Sequence, residues 1–274
     1  MNVRDANPGN ASTGSQAATV KGATDAALAG CAALVTGASS GIGAATAMAV
    51  AQRGAAVALA ARRAERLEEL ATAIRDQGGT CIALTADLRD AAQARRTVED
   101  TADRLGRLDV LVNNAGYAAT GSVEESDPED WERMIDLNVK AVLHMSQAAL
   151  PHLLRAAADG PRGVADLVNV SSVAGRVVRE RSSVYSATKH AVGAFSEGLR
   201  QEVTARGVRV GLVEPGLTRT EMTADGGAAA IARDIPESSW LRAEDIARAI
   251  SFMVTQPPHA AVNEIMVRPT ARGH

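Results

Sequence analysis

The amino-acid sequence predicts a doubly wound α/β fold, a seven-stranded and mostly parallel sheet with helices on both faces. Three observations lead there. From Ala32 onward, short runs rich in Val, Ile, Leu and Ala alternate with amphipathic stretches, the pattern of repeated βα units. The first run leads through Thr36-Gly37-Ala38-Ser39-Ser40-Gly41-Ile42-Gly43, a glycine-rich turn, straight into a helix. The length of 274 residues suits one large α/β core better than two small ones.

In chain order, residues 1–28 mix Ala, Gly, Ser, Thr and Asn without periodicity and without the apolar core of a signal peptide. A disordered extension is expected there, followed by a single domain over 29–274. Strands are expected at 32–36, 55–60, 81–86, 108–113, 166–171, 208–213 and 264–268. The intervening helices have readable ends. Gly54 stops the first, Gly78-Gly79 closes the second, and Asp127-Pro128 opens the fourth as N-cap and first helical residue. Pro151 lies inside a helical run from 128 to about 156 and predicts a kink or restart; 156–163 reads as a surface loop. Right-handed crossovers then wind the helices onto both faces of one sheet.

Composition excludes several classes of function. The formal net charge is -3 with no long run of one sign, so neither nucleic acid nor an anionic membrane is an expected partner. No stretch approaches the roughly 20 apolar residues of a membrane span. Partners should be small molecules or further copies of the chain. Cys31 and Cys81 sit in apolar segments, as reduced buried thiols do, and a cytoplasmic location follows. His144, His152, His190, His259 and His274 show no ligand spacing, and no metal is expected.

The glycine-rich turn is built for phosphate. Glycine lets the backbone approach a ligand closely, and the helix N-terminus offers unpaired N–H groups to a pyrophosphate. Gly37, Ser39, Ser40, Gly41, Ile42 and Gly43 are therefore candidate dinucleotide contacts, with a tight structural turn as the alternative. The second strand ends at Ala61 and is followed by Arg62-Arg63, where sheets that bind NAD carry an acid for the ribose 2′-hydroxyl. A small residue followed by two cations suits the 2′-phosphate of NADP(H), although a solvated helix start reads similarly. Asp87, with Leu88 beside it, follows the third strand where a carboxylate can meet the adenine amino group or cap the next helix.

Tyr185 and Lys189 stand four residues apart on an expected helix, so both project from one face. An ammonium favours the phenolate and brings a phenol of pKa near 10 toward the working range, making a tunable acid/base. Ser172 follows the fifth strand at the carboxyl edge, where its hydroxyl can meet a substrate carbonyl oxygen; Ser171 competes for that role. Asn113-Asn114-Ala115-Gly116 ends the fourth strand at the same edge, as a site for the nicotinamide ribose or as a structural turn.

Thr36-Gly37-x-x-x-Gly41-x-Gly43, Asn113-Asn114-Ala115-Gly116, Ser172, Tyr185-x-x-x-Lys189 and Pro215-Gly216 together resemble the successive motifs of short-chain dehydrogenase/reductases, from about residue 30 to 270. The resemblance implies a seven-stranded Rossmann sheet and a homotetramer or homodimer. It favours Ser172 over Ser171, because Ser172 stands at the family's offset from Tyr185. It also implies hydride transfer between nicotinamide and a carbonyl carbon, with Tyr185 giving the proton, Ser172 polarising the oxygen and Lys189 holding the ribose. Asn138 matches the family asparagine that orders a water beside the lysine. Pro215, Gly216, Thr218 and Thr220 match its PGxxxT stretch, in which Thr220 meets the carboxamide. The segments 149–154, 196–203 and 263–270 are similar to NADPH-dependent clavaldehyde reductases and related hydroxy-acid dehydrogenases, which implies NADP(H) and an aldehyde, ketone or hydroxy-acid substrate.

Two other functions fit the same residues, a 3-oxoacyl carrier-protein reductase and a non-catalytic NADP sensor. Substrate contacts are expected from Tyr117, Arg176, Arg179, Arg181 and the stretch 223–240. The arginines read as a carboxylate clamp or as solvated charges, and the Ala/Gly-rich stretch as a lid or plain loop.

Overall fold

Apolar runs too continuous for a one-sided sheet become strands covered on both faces. In a computed structural model that describes Met1 and residues 26–224 and 236–271, β1 (Ala32–Thr36), β5 (Ala165–Val170) and β6 (Val208–Pro215) are buried along their whole lengths. With β2 (Ala56–Ala61), β3 (Cys81–Thr85), β4 (Val110–Asn113) and β7 (Glu264–Val267) they form one seven-stranded sheet in the order β3-β2-β1-β4-β5-β6-β7. Every pairing is parallel. All seven expected strands are present, each within two residues of its expected ends.

Alternation along the strands splits the core in two. On one face, Ala33 and Val35 of β1 pack with α1 (Gly41–Gln52), α2 (Ala64–Asp76) and α8 (Ala243–Val254) through Val50, Leu67 and Ile250. On the other, Leu34 packs with α3 (Ala91–Leu105), α5 (Ala141–Asp159) and α6 (Ser183–Val203) through Val98, Leu153 and Leu199. Two short helices, α4 (Pro128–Ile135) and α7 (Glu221–Ala224), follow the carboxyl ends of β4 and β6. Strand order reverses between β1 and β4, which opens a crevice at those carboxyl ends.

The helix ends hold at Gly54 and at Asp127, which caps α4 by accepting from the Glu129 N–H with Pro128 in its first turn. Three expectations change. The helix runs on through Pro151 to Asp159; its α geometry breaks earlier, in a π turn at Asp136–Lys140. Ala149, Leu153, Ala156 and Ala157 all face the core, and that packing keeps the proline and the first half of the supposed 156–163 loop helical. Leu28, assigned to the extension, is fully buried and its N–H donates to the Arg53 carbonyl, so the domain starts earlier than 29. Residues 2–25 of the extension, and most of the expected lid, lie outside the described residues.

Most buried polar side chains are paired; Thr46 Oγ1 and Arg268 Nε are the exceptions among the described residues. Asp109 accepts from the Ala32 N–H at 2.8 Å and from Arg107, and Arg209 forks onto Asp166 at 2.8 and 3.0 Å. Among the described residues no helix is long and apolar enough to cross a membrane.

Candidate active site

The crevice holds a cavity of about 590 Å³. It runs from the glycine-rich turn past the ends of β2 and β3 to the ends of β4, β5 and β6, the shape a dinucleotide and a small substrate together require. Nineteen of the predicted positions line it, from Gly37 and Arg62 to Tyr185, Lys189 and Thr220. Gly43 and Asn138 lie one layer behind, holding the wall in place.

At the glycine-rich turn, Gly37 and Gly41 adopt φ of +65° and +53°, the left-handed region that side chains resist. A Cβ on Gly43 would lie 2.3 Å from the Gly37 carbonyl oxygen, which is why the turn closes so tightly. The N-cap residue of α1, Ser40, makes no side-chain cap, so the first amides of that helix face the cavity without a capping oxygen. Thr36 Oγ1 accepts from the N–H groups of Asn114 and Ala115 at 2.9 and 3.0 Å, and Asn114 Nδ2 donates to the Thr36 carbonyl at 2.9 Å. The ends of β1 and β4 are thereby tied into one wall.

At the β2 end, Ala61 leaves room and Arg62 is exposed, with no ion pair or hydrogen bond among the described residues. Arg63 is engaged. Its Nε and Nη2 donate to Ser39 Oγ at 3.1 and 2.9 Å, Nη2 also to Ser40 Oγ at 2.8 Å, and Nη1 pairs with Glu221 at 2.6 Å. Arg66 pairs with the same carboxylate. The two guanidinium groups hold Glu221 well below the usual carboxylate range, at about 2. Asp87 carries a forked pair with Arg89, which lowers its pKa, while Asp90 caps α3 in its stead by accepting from the Ala92 and Gln93 N–H groups.

At the β5 end, Ser172 Oγ accepts from the Ala174 N–H at 3.1 Å and stands beside Tyr185. Burial pushes the Tyr185 phenol up, and the Ser172 hydroxyl pulls it partly back. Ser171 instead is buried, its hydroxyl donating to the Lys189 carbonyl at 3.0 Å, so it braces α6. The Lys189 ammonium lies 5.8 Å from the Tyr185 ring centre and donates to the Val170 carbonyl at 3.0 Å. Burial brings its pKa down to about 8. Asn138, in the π turn, accepts from the Tyr117 N–H at 2.8 Å and donates from Nδ2 to the Tyr117 carbonyl at 2.8 Å and to Thr188 Oγ1 at 3.1 Å.

Of the loop residues expected to meet substrate, Arg179 and Tyr117 line the cavity. Tyr117 donates to Asp130 at 2.6 Å beneath the Arg133 guanidinium, 3.7 Å from its ring centre. Arg176 is committed elsewhere, to Glu214 at 2.6 Å and Glu264 at 2.5 Å, and Arg181 pairs with Glu125 at 3.7 Å. Of the three arginines, Arg179 alone lines this cavity. No role was legible in the sequence for Arg133 or Glu221; no spacing signals that Glu221 meets Arg63, 158 residues away.

Residues 31–230 match the short chain dehydrogenase family. An oxidoreductase of Staphylococcus saprophyticus is 36% identical over 238 residues, 86% of this chain and 96% of that protein. A solved short chain dehydrogenase from Burkholderia cenocepacia, in complex with NADP, superposes with a TM-score of 0.79 at 34% identity, covering 89% of this chain and 98% of that one. A 3-ketoacyl-(acyl-carrier-protein) reductase from Brucella melitensis, complexed with NADH, superposes with a TM-score of 0.80 at 28% identity, covering 89% and 98%. The chain belongs to the short-chain dehydrogenase/reductase family and is an oxidoreductase of that family.

Proposed function

We propose that the chain is an NADP(H)-dependent carbonyl reductase or alcohol dehydrogenase acting on a small aldehyde, ketone or hydroxy acid. The observation that carries this reading is the single cavity that joins Ser172, Tyr185 and Lys189 at one end to Ala61, Arg62 and Arg63 at the other. The residues fit the cofactor: uncapped helix amides and a glycine turn too tight for a Cβ suit a pyrophosphate, and Arg62, exposed and without an ion pair or hydrogen bond among the described residues, suits a 2′-phosphate. Gly37 to Ile42, Asn114 to Gly116 and Pro215 to Thr220 would hold it, and once bound it supplies or accepts the hydride.

The chain's own groups handle the oxygen and its proton. Ser172 donates to the carbonyl oxygen and Tyr185 passes its phenolic proton to the same atom, so the charge that develops there never stands bare. Lys189 supplies the positive charge that makes the phenolate accessible, and its ammonium, which among the described residues donates to the Val170 carbonyl alone, has donors left for the ribose hydroxyls. Asn138 acts by position. Both of its amide protons are engaged, which leaves one lone pair on Oδ1 for a water beside Lys189. The reading carries with it a cytoplasmic location, where Cys31 and Cys81 remain buried thiols, and assembly as a homodimer or homotetramer.

A panel of aldehydes, ketones, hydroxy acids and 3-oxoacyl thioesters, followed by NADPH absorbance, tests it. Turnover of small carbonyl compounds is expected. Turnover restricted to 3-oxoacyl groups on a carrier protein would favour the second reading, which the likeness to the Brucella reductase supports. NADPH binding without turnover of any of them would leave a sensor.

A further inference from the structure

The adenosine end of the cavity holds an anion of the protein's own. Glu221 opens α7 directly after Thr220, whose methyl lies 3.1 Å from where a Cβ on Gly41 would stand, so this segment rests on the glycine-rich turn. From there the carboxylate reaches Arg63 Nη1 at 2.6 Å, while Ser39 and Ser40 take Nε and Nη2. A guanidinium has five N–H donors, and this arrangement engages four of them. A phosphate arriving at Arg63 finds little unclaimed, and beside it stands a carboxylate. Glu221 also has a second cation, Arg66, to which it can retreat.

We propose that Glu221 is a specificity-determining residue for the cofactor's adenosine end, a competitor of the 2′-phosphate for Arg63 that lowers the enzyme's preference for NADP(H) over NAD(H). The inference rests on the reading of Arg62 and Arg63 as the 2′-phosphate site. A nucleotide with a 2′-phosphate must displace Glu221 from Arg63 or accept its negative charge nearby, whereas one with a 2′-hydroxyl disturbs nothing. The cost falls on one member of the pair, and discrimination is a difference of affinities. Arg66 keeps the displaced carboxylate neutralised, which is what makes the exchange affordable.

The probes are 2′,5′-ADP and 5′-AMP, which share everything except the 2′-phosphate, titrated by calorimetry into the full-length parent and the Glu221→Gln variant. Glutamine keeps the size and removes the charge, at a site whose side chain is 45% exposed, so folding should be undisturbed. The variant should bind 2′,5′-ADP roughly three- to tenfold more tightly than the parent, an effect that shrinks with added salt, and 5′-AMP within about twofold. Weaker binding of 2′,5′-ADP would mean that Glu221 prepares Arg63 for the phosphate, and would overturn the proposal. So would an equal change for both nucleotides, the mark of a disturbed glycine turn. If the parent itself fails to prefer 2′,5′-ADP, the 2′-phosphate reading is what has failed; if it prefers 2′,5′-ADP and the variant gains nothing, the role of Glu221 alone is lost.

Discussion

Lys189→Met should make the nucleotide-free protein more stable near neutral pH while removing its turnover. Lys189 is 6% exposed, and the one hydrogen bond of its ammonium among the described residues goes to the Val170 carbonyl. Burial lowers its pKa from 10.5 to about 8, a drop that corresponds to about 3 kcal/mol. The sign follows from which state binds the proton more weakly. The folded protein does, so below about pH 8 both states carry the charge and folding bears the whole cost. Between about 8 and 10.5 the folded lysine loses its proton first and the cost fades. Methionine fills the same space with no charge to bury, and forfeits one hydrogen bond worth about 1 kcal/mol. The expected gain is about 2 kcal/mol at neutral pH, falling to zero or below near pH 10.5. Urea unfolding of parent and variant at about pH 7 and about pH 10 measures it, because the other titrating groups cancel in the difference. A variant less stable than the parent at neutral pH, or a difference that ignores pH, would refute the reasoning. The ammonium would then be better solvated in the fold than its burial implies.

Three further outcomes follow from the site. Tyr185→Phe should bind NADPH as the parent does and lose most of the roughly 10²–10⁴-fold that positioned acid/base catalysis supplies, read by NADPH consumption; near-parental turnover would remove Tyr185 from the chemistry. Ala61→Asp combined with Arg62→Gln should invert the cofactor preference in binding titrations, since the new carboxylate accepts from the ribose hydroxyls of NAD and repels a 2′-phosphate; a parent without a roughly tenfold or greater preference for NADPH would undercut the premise. Gly43→Ala places a methyl 2.3 Å from the Gly37 oxygen and 2.6 Å from Asn114 Nδ2, so it should cost about 1–3 kcal/mol in thermal unfolding and weaken every dinucleotide alike. Selective loss of one cofactor would contradict a shared pyrophosphate turn.

What the sequence determined by itself was whatever repeats or closes over a few residues. Seven apolar runs became seven strands; in β1, β4, β5 and β6 burial on both faces leaves no room for polar alternation. Tyr185 and Lys189 met because one helical turn puts them on one face, and the glycine turn was legible because only its small residues permit that backbone. The tertiary structure decided where long side chains end. Arg63, Arg176 and Arg181 all stand at the crevice edge in sequence, yet one grips Ser39 and Glu221, another spans Glu214 and Glu264, and the third meets Glu125. Asn138 likewise holds Tyr117 and Thr188, from 21 and 50 residues away. Pro151 stayed within its helix because the sheet behind Ala149 and Leu153 supplies burial that outweighs one missing donor. A charged side chain takes its partner from whatever strand order brings alongside it, and strand order is a property of the whole packed sheet rather than of any window along the chain.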